Sequence, residues 1–182
     1  MTVRHLADYM RNISPKATNS ATAVIAPAAQ MSFLLNHIRK SRISVIIAHG
    51  EQTNLLTSHD ILDDSEIETY THDSLANVDL IIYGACLTGS SEGGIQNLVT
   101  TTYNEQAKIV IGFPIRVRND EVILWCEKLF EELKNGETID AASALANREV
   151  ENTFKNRIDQ YGYISTQDPT ILGDKTTRFK FD

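Results

Sequence analysis

Two residues able to perform nucleophilic chemistry each follow a run of apolar residues. His49 comes directly after Ile43–Ala48, and Cys86 comes directly after Leu80–Ala85, a run that ends in two small residues. A thiolate can attack a carbonyl carbon, and a neighbouring imidazole can take the thiol proton and later protonate a departing amine. The pair therefore indicates acyl transfer, with Cys86 as nucleophile and His49 as general base and acid.

Small residues lie beside both positions. Gly50 would let a substrate approach the backbone closely, and its N–H and that of Cys86 could together form an oxyanion hole. The residues alone leave an alternative open, because a single cysteine at a strand end often serves packing and a His-Gly pair is common in turns.

The rest of the sequence alternates strand-like runs with amphipathic helical patterns. Such alternation is typical of an α/β fold with a mainly parallel sheet. Because parallel strands end at the same edge of a sheet, where ligands bind, we expect His49 and Cys86 to lie together. Strands are predicted at residues 21–26, 43–48, 79–83 and 108–112, and helices at residues 4–13, 30–40, 93–103, 119–134 and 140–154.

Several residues near these elements are interpreted as structural. Asp79 is predicted to be a solvated strand cap, and Asp140 is predicted to cap the start of the last helix. Asn135-Gly136 should end the preceding helix. Cys126 lies in an apolar helical stripe and is predicted to be a buried packing residue.

Composition limits the class of protein. The length of 182 residues fits one domain, and the net charge of −7 argues against a nucleic-acid surface. No apolar run approaches the roughly 20 residues that span a bilayer. Two cysteines make a disulfide framework or a metal cluster improbable and favour a reducing compartment, so we expect a cytoplasmic location.

Residues 43 to 176 resemble the caspase-fold cysteine peptidases of clan CD, and most of all the CHAT domain. The resemblance depends on Ile46–Gly50, on Asp79–Gly89 and on Ala107–Pro114, which is similar to the next strand of those domains and its aromatic-proline exit. Leu172-Gly173-Asp174 also resembles a recurrent end of these domains. The resemblance implies a caspase-like three-layer αβα sandwich with a mainly parallel central sheet. It implies one domain over residues 1–182, with a helix-strand-helix segment in 1–42 and the catalytic core in 43–176.

The same resemblance implies a cysteine endopeptidase that uses the dyad of Cys86 and His49, passes through a thioester and needs no cofactor or metal. In relatives the loop after the third apolar strand forms part of the specificity pocket, which assigns Phe113, Arg116 and Arg118 to substrate binding. The alternative for the two arginines is a solvated loop. Expected partners are a protein or peptide substrate and a regulatory domain or partner protein. Gly84 stands where several relatives carry the acidic residue that binds a basic side chain, so that preference is not implied. The alternative is a catalytically silent caspase-fold interaction module.

Overall fold

The computed structural model describes residues 3–13, 31–56, 61–72, 74–94, 96–154 and 168–181. The predicted strand at 21–26 lies outside these residues. Their helices are α1 (Val3–Ile13), α2 (Met31–Lys40), α3 (Asp64–Thr71), α4 (Leu98–Asn104), α5 (Asn119–Lys134) and α6 (Ile139–Phe154). Their strands are β1 (Ile43–Ile47), β2 (His49–Gly50), β3 (Asn54–Leu56), β4 (Ile61–Asp63), β5 (Leu80–Gly84), β6 (Ile109–Gly112) and β7 (Thr170–Gly173).

The main sheet of the described residues has the strand order β1-β5-β6-β7. β1, β5 and β6 run parallel, and β7 pairs antiparallel with β6. Every residue of β5 and β6 is buried, as expected for the central strands of a parallel sheet. The predicted α/β class, with a mainly parallel sheet flanked by helices, is confirmed.

Asp79 joins the starts of three strands at the edge of this sheet opposite Cys86. Its carboxylate accepts a hydrogen bond from Arg42 at 2.5 Å, just before β1, and one from Lys108 at 2.7 Å, just before β6. Its side chain is 12% exposed, so the prediction of a solvated strand cap is wrong. The two cations compensate for the burial of the charge.

A second, antiparallel sheet follows β1 and has the order β2-β3-β4. Leu55 and Leu62 on one face are buried. The sheet leads into α3 through a capping box, in which Asp63 accepts from the backbone of Glu66 at 2.9 Å and donates its own N–H to the Glu66 carboxylate at 3.1 Å. Residues 51–77 have a weak and polar pattern, so β3, β4 and α3 are not predicted from the sequence.

The described residues form two compact units. The unit with both sheets also contains α2, α3 and α4; α2 packs on β1, α4 packs on β6 and β7, and α3 contacts both helices. Its core joins Leu35 of α2, Ile81 and Tyr83 of β5, and Leu98 of α4.

The other unit contains α1, α5, α6 and residues 175–181, with α5 packed on α1 and α6. Cys126 is 0% exposed, which confirms its packing role, and burial raises the pKa of its thiol. Gly136, at φ 90°, follows the C-cap residue of α5 as predicted. The predicted cap Asp140 is wrong: α6 begins at Ile139, and the hydroxyl of Thr138 accepts from the Ala141 N–H at 3.3 Å. None of the helices described here has both the length and the apolar character needed to cross a membrane.

Candidate active site

The ends of β1 and β5 bring His49 and Cys86 to the same edge of the main sheet. The parallel register pairs Ile47 with Gly84. His49 and Cys86 each come two residues after this pair, so both leave the sheet at its carboxyl edge. The predicted placement of the two strand ends is therefore confirmed.

Gly50 lies directly against the backbone that carries the cysteine. A Cβ atom added at Gly50 would be 2.9 Å from the Ala85 Cβ, 3.2 Å from the Asn54 carbonyl oxygen and 3.3 Å from the Cys86 carbonyl oxygen. Only glycine permits so close an approach of three chain segments. The residue after His49 and the residue before Cys86 are thus in contact.

The ladder between β2 and β3 determines the direction of the Gly50 backbone. His49 pairs with Leu56, Gly50 pairs with Leu55, and the N–H of Glu51 donates to the Asn54 carbonyl at 2.9 Å. Hydrogen-bonded and non-hydrogen-bonded pairs alternate in an antiparallel ladder. The N–H of Gly50 therefore points away from β3.

The segment from Ala85 to Ser90, here called the cysteine loop, is a tight turn. Leu87 has φ 61°, an uncommon conformation for a residue other than glycine. Its carbonyl accepts from the Ser90 N–H at 2.8 Å, and the buried hydroxyl of Thr88 donates to the Ala85 carbonyl at 3.0 Å. These bonds hold the backbone on both sides of Cys86 in one shape.

Three neighbouring elements bind the cysteine loop. Two carbonyls of the loop after β6 accept hydrogen bonds from the cysteine loop, each at 3.1 Å. The Phe113 carbonyl accepts from the Gly89 N–H, and the Ile115 carbonyl accepts from the Leu87 N–H. The Val99 N–H of α4 donates to Thr88 at 3.3 Å. The hydroxyl of Thr170 in β7 donates to the Gly89 carbonyl at 2.7 Å. The loop is thus fixed from three directions.

Residues 51–53 follow Gly50 and are here called the histidine loop. This loop is hydrogen-bonded to α4, which also binds the cysteine loop, and to Glu92. The Gln52 carbonyl accepts from the Leu98 N–H at the start of α4 at 3.0 Å. The Gln52 side-chain amide donates to the Glu92 carbonyl at 3.1 Å. The roles of Gln52 and Thr170 are not predictable from the sequence, because no periodic pattern or motif marks a single long-range hydrogen bond.

The two candidate catalytic side chains are accessible. His49 is exposed and Cys86 is half-buried, whereas the thiol of Cys126 is buried in the other unit. A half-buried cysteine and an exposed histidine at the same edge of the sheet suit nucleophilic attack on a substrate that arrives from solvent.

The three predicted substrate-binding residues have different surroundings. Phe113 is buried, and its carbonyl accepts a hydrogen bond from the cysteine loop. Arg116 is exposed and directly follows Ile115, whose carbonyl also accepts from that loop. Arg118 belongs to the other unit, precedes α5 and contacts Asp120 at 3.3 Å. Among the residues that the structure describes, no group of three or more His, Cys, Asp or Glu side chains is arranged to hold a metal ion.

No family model matches the sequence, and no curated protein matches it significantly. Solved structures do match. The Arg-specific cysteine proteinase gingipain R has a TM-score of 0.65 at 12% identity, and the Porphyromonas gingivalis complex of RgpB pro- and mature domains has a TM-score of 0.71 at 14% identity. Caspase-1 from Spodoptera frugiperda has a TM-score of 0.59 at 17% identity over 93% of this chain and 79% of its own. The fold is caspase-like.

The gingipain comparisons cover 98% of this chain and 43% of the matched chains, so this chain spans less than half their length. At these identities the likeness concerns the fold. The likeness confirms the predicted caspase-like α/β architecture. The matched proteins with this architecture are clan CD cysteine peptidases.

Proposed function

We propose that this chain is a cysteine endopeptidase domain of the CHAT type, with Cys86 as nucleophile and His49 as general base and acid. The observation that carries the proposal is the joint position of these residues, each two residues beyond one register pair of a caspase-like sheet, with Gly50 packed on the cysteine backbone. The accessible imidazole and the half-buried thiol support it.

In the proposed reaction, His49 takes the thiol proton and the thiolate of Cys86 adds to the carbonyl carbon of a peptide bond. The tetrahedral oxyanion collapses, the C–N bond breaks, and the imidazolium gives its proton to the departing amine. Water, activated by the neutral imidazole, then hydrolyses the thioester and restores the thiol. The chemistry requires no metal or organic cofactor.

The N–H groups of Gly50 and Cys86 form the proposed oxyanion hole. The direction of the Gly50 amide away from β3 and the contact between Gly50 and Ala85 support this assignment. A donor in such a hole contributes about 10²–10³ in rate. The bonds that fix the cysteine loop would keep the hole in place before substrate arrives.

The substrate is a protein or peptide, and the loop after β6 contributes to its binding. Arg116 and Arg118 are both exposed and have the charge to contact a substrate, and Phe113 supports the cysteine loop. A regulatory domain or partner protein is part of the proposal, since one structural neighbour is a complex of pro- and mature domains.

The test is intact-mass analysis after incubation with a panel of peptide acyloxymethyl ketones. We expect one adduct on the native chain and on Cys126→Ala, which is the matched control for a buried thiol. We expect no adduct on Cys86→Ala or on His49→Ala. The amino acid next to the ketone in the most reactive probe would identify the side chain that the site prefers immediately before the scissile bond.

The opposite result is equally informative. A native chain that forms no adduct, and whose Cys86 reacts with iodoacetamide no faster than a cysteine in an unstructured peptide, would contradict the dyad. It would support the silent interaction module instead.

A further inference from the structure

One face of the small antiparallel sheet carries an exposed apolar pair next to His49. His49 is paired with Leu56 across β2 and β3, and Leu56 is paired with Ile61 across β3 and β4. Leu56 is 41% exposed and Ile61 is 56% exposed, and His49 is exposed as well. The opposite face of the same strands is formed by the buried Leu55 and Leu62.

The register places these three side chains in one row. Residues directly opposite each other in an antiparallel pair share a face, with Cβ atoms roughly 4.5–5.5 Å apart. The row from His49 to Ile61 is therefore about 10 Å long. An extended peptide rises about 3.3 Å per residue, so two or three residues would cover the row.

The position of Leu56 and Ile61 relative to His49 indicates which part of a substrate would contact them. β2 carries His49 on the same face as the pair and contacts the cysteine loop through Gly50 on the other face, so Leu56 and Ile61 lie beside His49 and not beside the cysteine backbone. In the proposed reaction the imidazole must reach the nitrogen of the departing amine. The first residue after the scissile bond therefore lies next to His49, and its side chain is within reach of Leu56.

We infer that Leu56 and Ile61 form an apolar subsite for the side chain that follows the scissile bond in a peptide substrate. The inference depends on the proposed peptidase function and goes beyond it, because it names a side-chain preference on the leaving-group side. The apolar members of the row carry no charge and no hydrogen-bonding group, so they select for hydrophobic surface. Differences between side chains in a hydrophobic site change kcat/KM by about 10–200-fold.

The experiment compares two internally quenched peptides that are identical up to the scissile bond and then carry either leucine or serine. The residue before the bond is the one selected by the ketone panel. We expect the native chain to cleave the leucine peptide at least about 10-fold more efficiently, as a ratio of kcat/KM values. Leu56→Ser should reduce this ratio to about 1–3, and Ile61→Ser should reduce it in part.

The matched control is Tyr103→Ser, which removes from α4 a side chain that is 40% exposed, nearly the same as the 41% of Leu56. It should leave the ratio at the native value. Because both peptides are measured on the same variant, a general loss of folded or active protein cancels from the ratio.

Two further results separate the inference from the function on which it depends. Cleavage of both peptides with a native ratio near 1, or with a ratio that Leu56→Ser leaves unchanged, overturns the subsite and leaves the peptidase function intact. A concentration-dependent mass that Leu56→Ser abolishes, with an unchanged ratio, would assign the pair to contact between two copies and also overturn it. Cleavage of neither peptide overturns both proposals.

Discussion

Gly50 gives the sharpest test of the candidate site, because its replacement by alanine adds one methyl group at a crowded point. The new Cβ would lie 2.9 Å from the Ala85 Cβ and within 3.3 Å of the Asn54 and Cys86 carbonyl oxygens. Carbon atoms pack best about 3.5–4.0 Å apart. The segments that carry His49 and Cys86 would therefore have to separate by about 0.6 Å or more.

Such a displacement should reduce both the stability of the protein and the reactivity of Cys86. Overpacking of this kind costs about 1–3 kcal/mol of the free energy of unfolding. A misplacement near 1 Å at a reacting centre costs about 10² in rate, so we expect Gly50→Ala to lower the rate constant of Cys86 with a peptide acyloxymethyl ketone by about 10–100-fold. Mass spectrometry of timed samples measures this rate constant.

Two controls make the result specific. Iodoacetamide reacts at its CH2 carbon with loss of iodide, so its carbonyl does not have to lie between the Gly50 and Cys86 amides. Its rate with Cys86 should therefore fall much less than the rate of the ketone. Adding Ala85→Gly to Gly50→Ala removes the shortest contact and should recover part of the lost rate, with Ala85→Gly alone as reference. If Gly50→Ala reacts with the ketone at the native rate, the close approach of Gly50 plays no role in the site.

Three further predictions concern stability and are measured by urea unfolding. Asp79→Asn should lower the free energy of unfolding by about 1 kcal/mol, since it removes the charge shared by Arg42 and Lys108; an unchanged midpoint would contradict this. Asp63→Ala should lower the free energy of unfolding by about 1 kcal/mol through loss of the capping box. Because the hydrogen bond from the Ser65 hydroxyl lowers the pKa of Asp63, the stabilisation by this carboxylate should disappear as the pH falls below about 4. Burial raises the pKa of Tyr83 to about 12, so the unfolded state ionises first above pH 10; stability should fall by about 2 kcal/mol by pH 11.5, and Tyr83→Phe should remove that part of the fall.

The main sheet and the long helices were predictable because their patterns are local. β5 and β6 are continuous apolar runs, and α5 has the predicted bounds from Asn119 to Lys134. The joint position of His49 and Cys86 followed from the rule that parallel strands share a carboxyl edge. These inferences require no knowledge of side-chain contacts.

The remaining elements depend on contacts that the sequence does not show. β3 and β4 have three residues each, too few for alternation to be recognised, although Asp63 and Glu66 do carry the spacing of a capping box. The helix predicted from residue 93 begins at Leu98, because Gly93 and Gly94 have positive φ angles and Asn97 supplies the cap. Asp79 was misjudged because its two cationic partners are distant in sequence.

The bond from Thr170 to Gly89 also has a consequence for biosynthesis. The two residues are 81 positions apart in the sequence. At about 5–20 residues per second, a ribosome needs roughly 4–16 s to pass from one to the other. A nascent chain therefore carries Cys86 for several seconds before β7 can pair with β6 and bind the cysteine loop. Under the proposed function, a peptidase assembled in this order completes its cysteine loop only after Thr170 has been translated.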